Sequence, residues 1–350
     1  MHIGLYGMPS SGKTTILNSI DFCDVVHGSN SLREMCPEFD SLDYSGKDSV
    51  RKRLAESLLN KDTFIMDGHY LFGDEVAFTS EDGNLYDVIV YLYTDPDELK
   101  SRMALSDKNN KFLIYDIAEW QKTEIDSLRQ YCWDNDKDFY VIDNPPINTY
   151  RDITEVLEFI KHINDGYSCV SYARECAASI LGKINGDTVF LYDGDKTLTK
   201  EDSSSAVFGY KTNIYDGNFY TGYQSWKQSK EFALYHFDDL TSMPVHMNSK
   251  VSISDCANSF ILTSGHERIW SYISKQLGVE YYCGIKMSAD TKFFITKFIQ
   301  KQGKRVIAYG DGMNDYYMLR QADIGYLIAR EDGSVSRSLK GKTLEGLIIV

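Results

Sequence analysis

Met1-His2-Ile3-Gly4-Leu5-Tyr6-Gly7-Met8-Pro9-Ser10-Ser11-Gly12-Lys13-Thr14-Thr15 opens the chain and decides how its first half is read. The apolar run at 3–6 has the length and composition of a buried strand. It leads into Gly7-Met8-Pro9-Ser10-Ser11-Gly12-Lys13-Thr14, which satisfies Gly-x-x-x-x-Gly-Lys-[Ser/Thr] in full, and a helix-like stretch near 13–20 follows. Backbone amides can close around phosphate oxygens only where no side chain obstructs them, hence Gly7 and Gly12. The helix adds the partial positive charge of its amino terminus. Lys13 offers a cation for the β- and γ-phosphates, and the Thr14 hydroxyl a reach to Mg²⁺. Gly7, Ser10, Ser11, Gly12, Lys13, Thr14 and Thr15 are therefore the candidate nucleoside triphosphate contacts, with ATP the expected donor.

Further β-branched, apolar runs at 24–27, 63–66, 88–93 and 138–142 read as strands. Helix-like stretches near 47–60, 96–105, 113–132 and 152–163 separate or follow them. Strands alternating with helices imply right-handed crossovers and a parallel sheet with helices on both faces. Asn144-Pro145-Pro146 breaks the chain before the closing helix. A second alternation starts with the run 188–192 and continues at 260–262 and 306–309, with helix-like stretches at 171–183 and 291–302. The 350 residues suit two domains at roughly 150 residues each. The boundary is placed where Asn164-Asp165-Gly166 punctuates the chain, giving 1–165 and 166–350 as two consecutive doubly wound α/β domains. The block at about 200–255 fits neither pattern and reads as an insertion.

The composition, 43% hydrophobic and 25% charged with 6 Pro, is that of a folded globular chain. No apolar run approaches the roughly 18 residues of a membrane span. The amino terminus lacks the basic flank and apolar core of an export signal. The 7 Cys are scattered and never spaced Cys-x-x-Cys, so they read as reduced thiols in a cytosolic setting. Residues 1–165 carry 16 Lys and Arg against 31 Asp and Glu, while residues 166–350 are close to neutral. So acidic a first half repels polyanions and disfavours a nucleic-acid partner. Arg51-Lys52-Arg53, a thin basic stretch, reads as a solvated helix face.

Over 1–165 the chain resembles the adenylate-kinase-like group of P-loop kinases. Ser31-Leu32-Arg33 looks like the acceptor-side segment, where the resemblance gives Arg33 the acceptor phosphate. Phe64-Ile65-Met66-Asp67-Gly68 looks like the strand that ends in an acid beside metal and acceptor. Tyr93-Thr94-Asp95-Pro96-Asp97-Glu98-Leu99-Lys100-Ser101-Arg102 resembles the passage into the lid, which makes Arg102 a clamp on the transferring phosphoryl. Arg129 falls on the later helix that carries a further arginine in such kinases. An arginine suits these roles because its planar fork binds phosphate oxygens in pairs and stays charged. His69 stands where an acceptor arginine would be usual, and 104–115 lacks the arginine density of a lid.

In the second half, Asp193-Gly194-Asp195-Lys196-Thr197-Leu198-Thr199 follows a strand-like run directly. Two carboxylates two residues apart at a strand end share one crevice. The first can attack a phosphoryl group; the second can protonate the leaving oxygen and later deprotonate water. Mg²⁺ would shield the attacking carboxylate from the phosphate charge. Phe260-Ile261-Leu262-Thr263-Ser264-Gly265 ends a strand with a hydroxyl, Lys292 lies on the helix before the next strand, and Gly310-Asp311-Gly312-Met313-Asn314-Asp315 ends that strand with two more acids. The four pieces, in this order, resemble the haloacid dehalogenase superfamily of phosphatases, nearest its phosphoserine-phosphatase-like branch. The resemblance makes Asp193 the nucleophile and Asp195 the acid/base. It has Thr197 steadying the second Asp and places Thr263, Ser264, Gly265 and Lys292 on the phosphoryl group, with Lys286 a rival for the lysine. Asp193, Asp195, Asp311 and Asp315 become the metal acids. The insertion stands where that superfamily puts a cap, and residues 208–237 hold ten Phe, Tyr and Trp. These read first as the cap's own core and second as a substrate-facing surface. His27, His69 and His266 sit near expected strand ends.

These features lead to an expectation of a bifunctional enzyme, an ATP-dependent kinase joined to an Mg²⁺-dependent phosphomonoesterase, acting on a small phosphorylated metabolite, nucleoside or nucleotide. Two other readings stand beside it. One is nucleic-acid end healing by a 5′-kinase and 3′-phosphatase. The other is a phosphatase gated by a non-catalytic nucleotide-binding domain.

Overall fold

Val88–Leu92 is buried at all five positions, as a strand covered on both faces must be, and a fully parallel sheet forms around it. A computed structural model describes residues 1–73, 75–142, 153–235, 243–253 and 255–350. Within it the chain divides into two units, Met1–Tyr167 and Ser168–Val350. The Asn144-Pro145-Pro146 break and residues 236–242 of the insertion lie outside the described residues.

The first unit runs β1 (His2–Tyr6), α1 (Lys13–Leu17), β2 (Asp24–Val26), α2 (Gly28–Met35), α3 (Tyr44–Leu58) and β3 (Phe64–Asp67). A small hairpin of β4 (Leu71–Phe72) and β5 (Glu75–Val76) follows. Then come α4 (Ser80–Leu85), β6 (Val88–Leu92), α5 (Pro96–Ala104), α6 (Ile117–Asp134), β7 (Asp138–Ile142) and α7 (Ile153–Asn164). The sheet order is β2-β3-β1-β6-β7, every pair parallel. The chain winds to one side of β1 and then to the other. The crevice past the carboxyl end of β1 is thus the switch point where open α/β sheets take ligands. Local chemistry fixes the helices. Asp95 accepts the amides of Asp97 and Glu98 with Pro96 in the first turn of α5, and Asp116 caps α6 likewise. The helices α2 and α4 and the hairpin were not among the expected elements.

The second unit runs α8 (Cys169–Leu181), β8 (Thr188–Tyr192), α9 (Ser203–Phe208), α10 (Gly222–Phe232), β9 (Ser259–Thr263), α11 (Glu267–Leu277) and β10 (Glu280–Cys283). It continues through α12 (Ala289–Lys301), β11 (Arg305–Gly310), α13 (Met313–Gln321), β12 (Ile324–Leu327) and β13 (Ile348–Ile349). Its six strands are all parallel in the order β10-β9-β8-β11-β12-β13. Here β8 is the switch strand, between β9 and β11, and the insertion with α9 and α10 lies between β8 and β9. Tyr192, Tyr309 and Tyr326 stack across β8, β11 and β12 at centroid spacings of 4.7 Å. Among the described residues no helix is long and apolar enough to cross a membrane.

Candidate functional site

At the carboxyl ends of β8 and β11, three acids converge on one lysine. Lys292, in the first turns of α12, is fully buried. Its Nζ donates to Asp193 Oδ1 at 2.7 Å and to Asp315 Oδ1 at 2.7 Å. Carboxylate oxygens of Asp193, Asp311 and Asp315 all lie within 4.8 Å of one another. Burial, and after it the Asp315 charge, pushes the Asp193 carboxyl up to about 7 against the pull of Lys292. Asp311 stands well above the carboxylate range, by loss of water first and then by Asp315 and Asp193. Burial would lower Lys292, but Asp193 and Asp315 outweigh it and the ammonium is held firmly charged. Three oxygen donors that repel one another beyond what one ammonium offsets are a fitting donor set for a hard divalent cation such as Mg²⁺.

Asp195 stands apart from that set. Its Oδ1 accepts the Ser203 amide at 2.8 Å, and burial followed by Asp202 pushes it up to about 6. Its Oδ2 lies where a Cβ on Gly265 would come within 2.6 Å, and the same Cβ would meet Trp270 Nε1 at 2.4 Å. Gly265 is therefore needed for closeness rather than for backbone freedom. Thr197 corrects one expectation. Its hydroxyl donates to Asp193 Oδ2 at 3.0 Å, so it steadies the first acid and not the second. The reason is a kink at Lys196, where φ is 61° and the chain turns back over Asp193. Thr263 Oγ1 accepts the Gly265 amide at 3.0 Å, which leaves its own proton to donate. Ser264 Oγ accepts from Asn314 at 3.0 Å.

The aromatics of the insertion fall into two groups. Tyr210, Phe219, Tyr223 and Trp226 are buried, with Tyr210 against the ring of Phe232 and Tyr223 against that of Trp226. Tyr215 and Tyr220 stack at 5.1 Å, and the first feels the charge of Lys292 and the second that of Asp311. His266 lies between the rings of Phe208 and Phe232 at 4.8 and 5.3 Å.

The amino-terminal loop has the backbone its sequence requires. Gly7 and Gly12 take φ of 151° and 98°, and Ser10 joins them at 64°. Lys13 is buried, with Nζ donating to the carbonyls of Gly7 at 2.5 Å and Met8 at 3.1 Å. Burial lowers it to about 8, opposed by Glu124 and Asp67. Thr14 and Thr15 are exposed. Asp67 Oδ1 accepts the Gly28 amide at 2.8 Å, which ties β3 to the start of α2. Arg102 donates to the Ser10 carbonyl at 3.4 Å and pairs with Glu98, and Asn109 donates to Ser10 Oγ at 2.9 Å. Arg33 pairs with Asp40 at 2.8 Å on the surface. Arg129 is turned to the rings of Trp133 and Phe139, near the start of β7 and away from the carboxyl ends where the loop lies. His69 is depressed well below its ordinary pKa by burial and then by Lys13 and Lys108, so it belongs beside the loop.

One residue of this crevice escaped the sequence. Glu124 is fully buried on α6, where it accepts from the Leu71 amide at 3.0 Å and from the Tyr91 hydroxyl at 2.7 Å. Its signal was positional, since it falls on the helical stripe of Ile117, Trp120, Ile125 and Leu128, all buried.

No family model matches this sequence, and no curated protein sequence matches it. Solved structures do resemble it. A shikimate kinase from Acinetobacter baumannii in complex with shikimate aligns with 48% of this chain and 95% of its own, at 14% identity and a TM-score of 0.34. A haloacid dehalogenase family hydrolase from Salmonella enterica serovar Typhi aligns with 46% of this chain and 71% of its own, at 12% identity and a TM-score of 0.30. The catalytic domain of a CPx-ATPase, CopB-B, aligns with 46% and 84%, at 16% identity and a TM-score of 0.26.

Proposed function

We propose that the chain is a bifunctional phosphotransfer enzyme on small substrates: a phosphorylated metabolite, a nucleoside or a nucleotide. Residues 166–350 hydrolyse a phosphomonoester through an aspartyl phosphate, and residues 1–165 transfer a phosphoryl group from ATP. The observation that carries this reading is the buried Lys292 bridging Asp193 and Asp315 beside Asp311.

Thr197 and Lys292 orient Asp193 from its two oxygens, so that one carboxylate oxygen can attack phosphorus. Thr263 donates to the phosphoryl oxygens, with Lys292 supplying charge as it accumulates there. Asp195, held by Ser203, gives its proton to the leaving oxygen and takes one from water in the second step. A pKa near 6 suits both halves of that exchange. Asp193, Asp311 and Asp315 would hold Mg²⁺, which when bound offsets the repulsion between carboxylate and phosphate. In the first unit, the loop from Gly7 to Thr15 and Lys13 bind the ATP phosphates, and Asp67 orients the acceptor. Arg102 is placed beside Ser10 to steady the transferred group. The free thiols go with a reducing, cytosolic setting.

The test is a phosphate-release screen over small monoesters and 3′-phosphorylated oligonucleotides, with Asp193→Asn as control. Release from small monoesters that the substitution abolishes supports the reading; release from oligonucleotides alone overturns it. A second reading, in which nucleotide binding gates the phosphatase without transfer, is favoured by the pairing of Arg33 with Asp40 and of Arg102 with Glu98. It requires that ATP is not consumed and that a non-hydrolysable analogue still changes the rate of phosphate release.

A further inference from the structure

Lys196 is one of three non-glycine residues with positive φ among the described residues. A side chain is disfavoured there, and a glycine would meet the turn at lower cost. What the lysine brings is a cation at one particular place. It lines a cavity of about 350 Å³ with Lys200, Lys250, Arg330, Glu331 and Asp311. Four cations face two carboxylates, and one of these, Asp311, belongs to the acid crevice. The cavity's lining is thus net positive, by one charge once Asp202 on Lys196 is counted, and the cavity adjoins the place where a phosphoryl group would meet Asp193. Its volume is toward the lower end of small-molecule sites, roughly 300–1,000 Å³.

The cations differ in what they already hold. Lys250 donates to the backbone carbonyls of Ala329, Arg330 and Val350 at 2.8, 3.1 and 3.5 Å, so it builds the wall. Lys200 meets Glu331 at 3.5 Å, and Lys196 meets Asp202 at 3.3 Å, in solvent-exposed pairs of small worth. Arg330 is exposed, and among the described residues its guanidinium enters no hydrogen bond or ion pair. Arg330 is therefore open to an anion, and Lys196 and Lys200 can turn to one from weak exposed pairs; a guanidinium fork with two ammonium groups suits a phosphate.

Resting on the phosphatase reading of this unit, we infer that its substrate is a small bisphosphate. Lys196, Lys200 and Arg330 hold the second phosphate while the first lies against Asp193. A monophosphate with a neutral tail would leave Arg330 without an anionic partner, and Lys196 and Lys200 only in their exposed pairs with Asp202 and Glu331. A second phosphate without them would be repelled by Asp193, Asp311 and Asp315.

The experiment is titration calorimetry of Asp193→Asn protein with Mg²⁺, so that no turnover intervenes. Two matched pairs serve as probes: fructose 1,6-bisphosphate against fructose 1-phosphate, and adenosine 3′,5′-bisphosphate against adenosine 3′-monophosphate. In at least one pair the bisphosphate is expected to bind about tenfold more tightly, the gain of one charge-assisted contact. That ratio should fall toward one in Arg330→Gln and in Lys196→Gly. Equal affinities within both pairs overturn the inference. So does a preference that survives both substitutions, or tight binding confined to a 3′-phosphorylated oligonucleotide. Wild-type phosphate release from the same probes runs alongside and carries the test should Asp193→Asn fail to fold. Release without preference overturns this inference alone. A binding preference without release from any monoester overturns the phosphatase reading and leaves the two-phosphate site standing.

Discussion

Lys292 Nζ lies 2.7 Å from Asp193 Oδ1, and the two side chains come from positions 99 residues apart. The same ammonium holds Asp315, and its side chain has no solvent exposure. Removing it leaves buried carboxylates facing one another. Lys292→Met is therefore expected to abolish phosphate release and to cost about 3–5 kcal/mol of stability, the penalty of breaking a buried pair from one side. Urea unfolding measures the loss. Mg²⁺ should raise the variant's midpoint more than that of the wild type, because the acids then have no other cation. An equal response in both would place the cation elsewhere.

Gly265 is expected to tolerate no methyl group. A Cβ there meets Trp270 Nε1 at 2.4 Å and Asp195 Oδ2 at 2.6 Å, so Gly265→Ala must move a packed indole or the acid itself. Overpacking of this kind costs about 1–3 kcal/mol. If Asp195 is the group displaced, kcat for esters with poor leaving groups falls further than kcat for 4-nitrophenyl phosphate, whose leaving oxygen needs no proton. A uniform fall in both would assign the effect to packing alone.

These contacts show what the sequence could and could not convey. Parallel strands read as unbroken apolar runs, β1 and β6 buried on both faces and β8 and β11 half-buried on one, so all four were legible, and the acids at the ends of β8 and β11 could be assigned to one crevice. The edge strands β10 and β13 are partly exposed, and β12 has only four residues, one of them Gly325. Their residues, among them Tyr281, Tyr282, Ile348 and Ile349, suit strands, but runs of two to four residues are too short to stand out. The helix α2 was missed because it follows β2 after one residue and has neither a side-chain cap nor an acid in its first turn. Motif order could place Thr197 near Asp193 and Asp195 but not choose between them. The choice depends on the positive φ of Lys196, a conformation that a lysine does not announce.

Asp82 gives the first unit a pH dependence of its own. Burial raises its carboxyl to about 6, ahead of the opposing hydrogen bonds from Thr79, whose amide and hydroxyl it accepts at 2.9 and 3.0 Å. Its folded pKa thus exceeds the ordinary value of 3.8. The stabilisation from protonation is complete below about pH 4 and is lost as pH rises through about 6. Asp82→Asn keeps an acceptor for Thr79 and carries no charge. Relative to wild type, the variant should gain up to about 3 kcal/mol between pH 4 and pH 7, from the two-unit shift. Unfolding midpoints of both proteins across that range check it. A difference independent of pH would mean that Asp82 stays ionised throughout.

Lys13 separates the two proposed activities. Burial lowers its pKa to about 8, against the raising effect of Glu124 and Asp67. The loop therefore offers a full positive charge to phosphate at pH 7 and loses it as pH climbs past about 8. Nucleotide affinity of the wild type should fall along that limb, and Lys13→Ala should bind weakly at every pH with no limb at all. Fluorescent-nucleotide titration reads both. Asp193→Asn should show the opposite pattern: no phosphate release, and a nucleotide limb still centred near 8. If Lys13→Ala, folded by circular dichroism, also changes the rate of phosphate release, the two crevices are energetically coupled. The first unit is then a regulator of the second rather than an independent catalyst.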